Sequence, residues 1–173
     1  MRDPSEFDTF YAGSVRRVTS HLYAMTGSRA EAEDLVQEAY TRAWQSWAKV
    51  SGYSDPEGWV RTVAFRIRVS AWRKAVSRAT AHRRHGLPDH DPGANPDYVA
   101  IVAALRRINP YQRQAIVLHH LVGLSVEEIA VETGVAVGTV KARLSRGRQA
   151  LAPHLSETTP NFTTFTKEAS GHA

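Results

Sequence analysis

No cysteine occurs among the 173 residues, so neither a disulfide framework nor a thiolate zinc site can hold this chain together, and a reducing compartment fits. Long apolar runs are missing too. No uncharged stretch approaches the roughly 20 residues of a membrane span. The opening residues MRDPSEFDTFYAG carry charges where an apolar signal segment would have to lie. A soluble cytoplasmic protein without a membrane span is therefore the expectation. Strand-like alternation and internal repeats are also absent, which leaves an all-α chain. Lysine is scarce: 18 of the 22 cationic residues are Arg, a side chain suited to phosphates and guanine edges but equally to a GC-rich genome. The formal charge of +5 favours a polyanionic partner without identifying one.

Helical periodicity fills both halves. Phe7, Phe10, Tyr11, Val15, Val18, Leu22 and Met25 recur at spacings of three and four. Gly27 interrupts them, and Ser28 with Glu31 predicts a capping box for a second helix through Leu35, Val36, Ala39, Tyr40, Ala43, Trp44 and Trp47. Asp55-Pro56 predicts the N-cap and first residue of a third helix ending near Val76. The periodicity then fails, and RRHGLPDHDPGANP reads as a flexible linker. The expected division is a domain over 1–76, a linker over 77–96, a second domain over 97–153 and a polar tail over 154–173.

The second half carries the most informative stretch, LSVEEIAVETGVAVGTVKARLSRGRQAL. Ser125 and Glu128 form a capping box, Gly134 makes a tight turn, and a last helix runs from Val137 to about Leu151. Two short helices around such a turn make a helix-turn-helix, whose second helix enters the DNA major groove. At 100° per residue, Val137, Val140, Leu144 and Leu151 face inward, while Gly138, Lys141, Ala142, Ser145 and Gln149 face outward with Arg146 beside them. No acid occurs between Thr133 and Leu155, so nothing there repels phosphate; Glu127, Glu128 and Glu132 precede it. Lys141, Ser145 and Arg146 are the expected readers, and Arg143 and Arg148 lie nearer the packed side. A helical hairpin with a solvated basic face is the plainer alternative.

The third helix shows two faces. Val60, Val63, Ala64, Ile67 and Ala71 form an apolar stripe, and Arg61, Phe65, Arg68 and Trp72 fall on another side. Cations interleaved with aromatics suit single-stranded DNA, whose phosphates need charge and whose splayed bases need flat surfaces. Phe65 and Trp72 also fit a wide core stripe. Earlier, Asp34, Gln37 and Glu38 make a polar ridge that either complements the helix dipole, the simpler account from periodicity alone, or meets a basic partner.

These segments together resemble the extracytoplasmic-function sigma factors of bacterial RNA polymerase, over about residues 6–76 and 98–152. AEDLVQEAYTRAW resembles the family's region 2.2, DPEGWVRTVAFRIRVSAWRK its regions 2.3 and 2.4, and Ile108 to Arg113 with GLSVEEIA and VGTVKARLSRGRQAL its region 4. The DPEGWVR opening is similar to an actinobacterial subgroup. The resemblance implies that Asp34, Leu35, Gln37 and Glu38 dock on the β′ clamp helices of core RNA polymerase. It implies that Tyr53, Ser54, Asp55, Arg61, Phe65, Arg66, Arg68 and Arg73 engage the melted −10 element of promoter DNA. Thr139, Lys141, Ala142, Arg143, Ser145 and Arg146 would read the −35 duplex near the β flap. An anti-sigma partner is common in the family. Arg66, Ser70, Asn109 and Ala142 depart from the residues usual at their positions, so the promoter contacts would differ in detail.

Two rivals remain at this level. A stand-alone helix-turn-helix regulator would bind duplex without polymerase and leaves the Asp34–Glu38 ridge unexplained. A metal-dependent nuclease would need His82, His85 and His90, or His119 and His120, yet neither set has acidic or thiol partners at ligand spacing. No metal, cofactor or catalytic residue is expected: the mechanism is one of binding.

Overall fold

The computed structural model describes residues 4–78 and 96–156. Most of the expected linker and nearly all of the expected tail lie outside that range. Among the described residues every regular element is helical, and no helix is long and apolar enough to cross a membrane. The first half holds α1 (Pro4–Thr26), α2 (Arg29–Gln45), the short α3 (Trp47–Val50) and α4 (Pro56–Arg78). The second holds α5 (Pro96–Leu105), α6 (Pro110–Val117), one π-helical turn (Leu118–Val122), α7 (Val126–Thr133) and α8 (Val137–Ser156).

Local chemistry explains the boundaries. Gly27 takes φ +71°, a left-handed conformation open to glycine, and its N–H closes α1 on Tyr23 O at 2.7 Å. Ser28 caps α2 through Glu31 N at 3.3 Å, but the box is only half made. The Glu31 carboxylate turns to Arg68 at 3.1 Å, and the Ser28 N–H instead donates to Thr26 Oγ1 at 3.2 Å. Asp55 Oδ1 accepts from Gly58 N at 2.8 Å and starts α4. At α7 the capping box is complete, Glu128 N to Ser125 Oγ at 3.1 Å and Ser125 N to Glu128 Oε2 at 2.7 Å. Gly123 and Gly134, both at positive φ, end the π turn and α7.

The two halves share one apolar core rather than keeping separate ones. Val18, Leu22 and Met25 of α1 and Val60, Ala64 and Val69 of α4 belong to the same buried cluster as Val102, Leu105, Ile116, Ile129, Val140 and Leu144. Tyr98 packs tilted against Tyr23 at 5.9 Å between ring centroids, with its hydroxyl 3.3 Å from Ser20 O. Arg113, 4% exposed, donates from α6 to Met25 O at the end of α1 and to Arg106 O (2.8 Å) and Ile108 O (3.1 Å). That guanidinium satisfies carbonyls a helix end leaves without partners. Burial lowers its pKa to about 9.

Candidate nucleic-acid interface

The helix-turn-helix is built as its sequence implies. Val140, Leu144 and Leu151 are buried, and Gly147 lets α8 approach α6, since a Cβ there would stand 3.1 Å from Ile116 Cγ1. Val137 differs from expectation. It is 37% exposed because it is the first residue of α8, and the stripe begins one turn later at Val140. Gly138, Thr139, Lys141, Ser145, Arg146 and Gln149 are exposed, and Ala142 is half-buried. Arg143 lies over the Tyr111 ring, 5.0 Å from its centroid, a cation–π contact that draws it away from the outer face.

On α2 the ridge of Asp34, Gln37 and Glu38 is exposed, and Glu38 pairs with Arg42 one turn on. Leu35 is not part of that surface. It is 7% exposed and packs in the core, because its position one residue past Asp34 turns it inward.

Helix α4 departs furthest. Arg61 is 4% exposed and Phe65 6%, because α4 is covered on both sides: α1 and α2 take one face, and α7 with Tyr111 of α6 the other. Phe65 meets Tyr111 edge-on at 5.7 Å. Arg73 donates to the Tyr111 hydroxyl at 2.8 Å, and Arg68, half-buried, holds Glu31. Arg66 and Ser70 line a cavity of about 330 Å³ with Arg73, Tyr111, Gln114 and Arg143. The open cationic–aromatic surface expected of Arg61 and Phe65 is thus closed in this arrangement, under the second half of the chain. The Trp72 side chain lies outside the described residues.

Arg61 is the buried centre of an ion cluster. It grips the Glu132 carboxylate with two nitrogens, Nη2 to Oε2 at 2.8 Å and Nε to Oε1 at 3.2 Å, and also holds Asp55 at 3.0 Å and Glu57 at 3.2 Å. Burial alone would lower the Arg61 pKa, but the Glu132 hydrogen bond and the three carboxylates more than offset it. Burial raises the Glu132 carboxyl, against the opposing pull of Arg61. The two-nitrogen grip is the geometry of an ionised pair. Beside it, Tyr53, Ser54 and Asp55 open on a cleft of about 710 Å³ whose far wall carries Glu127, Glu128, Val131 and Glu132.

Among the described residues no group of three or more His, Asp or Glu side chains is gathered for a metal. His119 and His120 pack against each other at 4.8 Å, and His119 Nδ1 lies 2.8 Å from Leu124 O. His82, His85 and His90 lie outside the described residues.

Two family models divide the chain between them: Sigma-70 region 2 matches residues 10–78 and Sigma-70 region 4 matches residues 98–151. The ECF RNA polymerase sigma factor SigL of Mycobacterium tuberculosis is 33% identical over 140 residues, 77% of this chain and 79% of that protein. The chain belongs to the extracytoplasmic-function sigma factors. SigE of Mycolicibacterium smegmatis, an ECF sigma factor, is 37% identical over 161 residues, 82% of this chain. The chain spans only 60% of that relative's length. Among solved structures, the sigma factor RpoE of Bartonella quintana, in complex with the anti-sigma factor NepR, superposes with a TM-score of 0.76 at 26% identity. That match covers 87% of this chain and 97% of RpoE. As an ECF sigma factor the chain divides into region 2, carried by α1 to α4, and region 4, carried by α5 to α8.

Four residues that organise the site were not singled out from the sequence: Glu132, Gly58, Tyr111 and Arg113. Arg113 left a trace, a cation on the same helix face as Ile116 and Val117 with no carboxylate three or four residues away. Glu132 stands out in the sequence only as an acid outside the reading helix.

Proposed function

We propose that this chain binds core RNA polymerase and directs it to promoters, reading the −35 element as duplex and the −10 element as a separated strand. The observation that carries this reading is the acid-free exposed face of α8 on a complete helix-turn-helix, within a chain of the sigma family. Thr139, Lys141, Ala142, Ser145 and Arg146 would meet base edges and phosphates in the major groove, where small side chains allow close approach and cations find guanine acceptors. Arg143 would join them once released from Tyr111. Asp34, Gln37 and Glu38 offer an anionic ridge to the clamp helices of β′, and region 4 lies near the β flap. Tyr53, Ser54, Asp55, Arg66, Arg68 and Arg73, with Arg61 and Phe65 once uncovered, would hold the −10 strand by phosphate contact and stacking.

The work is done by binding, with no covalent chemistry: capturing unpaired bases shifts the promoter toward its melted state. The place of action is the cytoplasm. Because RpoE is held by an anti-sigma factor, a partner of that kind is part of the proposal.

Gel filtration with purified core RNA polymerase tests it. The chain should co-elute with core polymerase and bind duplex DNA weakly when alone. Tight duplex binding by the free chain, with no polymerase complex, would make it a stand-alone regulator.

A further inference from the structure

Glu132 belongs to α7, the first helix of the helix-turn-helix, yet its carboxylate lies against α4 of region 2, 8% exposed at the side chain. The fit is built from both sides. Gly58 provides the space: a Cβ at that position would stand 2.4 Å from Asp55 Oδ2 and 3.0 Å from Glu132 Oε2. Gly58 lies in the first turn of α4, and its bareness admits two carboxylates. Thr62 Oγ1 adds a bond to the Glu132 carbonyl at 3.0 Å.

The cluster is also built to open. Without Glu132, Arg61 keeps Asp55 and Glu57, both from region 2, while Glu132 would regain water. Breaking the Arg61–Glu132 pair therefore leaves no charge of this cluster both buried and unpaired. While they stay together, Phe65 is covered by Tyr111, Arg143 of the reading helix is stacked on that same ring, and Glu127, Glu128 and Glu132 face the loop of Tyr53 to Asp55 across the cleft. A phosphate backbone entering there would meet carboxylates.

We propose that Glu132 is an intramolecular latch: its carboxylate occupies Arg61 in place of DNA and holds region 4 shut over the −10-binding face of region 2. The closed and the DNA-engaged chain are mutually exclusive, and breaking the Arg61–Glu132 pair is a step on the way to promoter engagement. That Arg61 and the covered face serve DNA rests on the sigma-factor reading above; the closure of the two halves by the Arg61–Glu132 pair does not.

The lack of native cysteine permits a direct test. Cysteines replacing the exposed Ala48 and Ala150 carry spin labels, one on each half of the full chain, and their distance distribution is read by pulsed electron resonance. Glu132→Gln keeps the shape and removes the charge. Gly58→Ala keeps every charge and fills the space. Each variant should lengthen and broaden the distribution, with roughly a ten-fold rise in the ratio of open to closed chain for Glu132→Gln. Circular dichroism checks that helix content is retained. In run-off transcription at limiting protein, unlabelled Glu132→Gln should saturate core polymerase at a several-fold lower concentration than the parent. Unchanged distances in both variants would overturn the latch. Opened distances with no transcription from parent or variant would uphold the latch and overturn the sigma-factor reading.

Discussion

Arg113→Met removes one guanidinium and tests how the two halves are joined. The native side chain makes three hydrogen bonds to carbonyls, Met25 O across the interface and Arg106 O and Ile108 O within region 4. No carboxylate shares in them. Methionine fills nearly the same space, so cavity formation contributes little and the loss is chiefly of charge-assisted bonds. Each unsatisfied buried carbonyl costs about 1–3 kcal/mol, partly offset because the guanidinium no longer has to be buried. The expected net loss is about 3 kcal/mol. Urea unfolding followed by circular dichroism reads it as a lower midpoint at an unchanged slope. Arg113→Lys keeps the charge but not the fork that reaches several carbonyls, and should lose a substantial part of the same stability. A loss below about 1 kcal/mol for the methionine variant would refute the claim that these bonds matter.

Further outcomes follow from particular contacts. Lys141→Ala with Arg146→Ala should weaken promoter choice and leave association with core polymerase intact, whereas Asp34→Ala with Glu38→Ala should do the reverse; equal loss of polymerase association in both pairs would contradict that division. His21 and His120 are both held below the usual histidine pKa, chiefly by burial, so the unfolded chain takes up protons first on acidification. Stability should fall as pH drops through about 6.5 and level off below the folded values, and His21→Gln should flatten that slope in thermal melts across the range. Ser125→Ala removes half of the capping box and should cost about 1 kcal/mol by the same urea assay.

Local signals reported themselves faithfully where a single contact decided the structure. Asp55, Ser125 with Glu128, and the glycines at 27, 123 and 134 mark helix ends because caps and left-handed turns depend on one residue type each. The α8 face was legible because one side of that helix stays in water. The α4 faces were not: lying between α1 and α2 on one side and the second half on the other, the helix buries Arg61 and Phe65 beside Val60 and Ala64, and periodicity has no way to express a second covered side. Glu31 shows the same limit on a smaller scale. Its spacing from Ser28 permits a capping box, but Arg68, 37 residues away, wins the carboxylate. Glu132 and Arg61 are 71 residues apart, and no local pattern pairs them.

The central claim is that this chain selects promoters for core polymerase. Run-off transcription with purified core RNA polymerase on fragmented genomic DNA of the source organism, with and without the protein, addresses it most directly. Discrete new transcripts whose start sites share two upstream elements are expected. An unchanged transcript pattern, with the chain binding duplex tightly by itself, would contradict it.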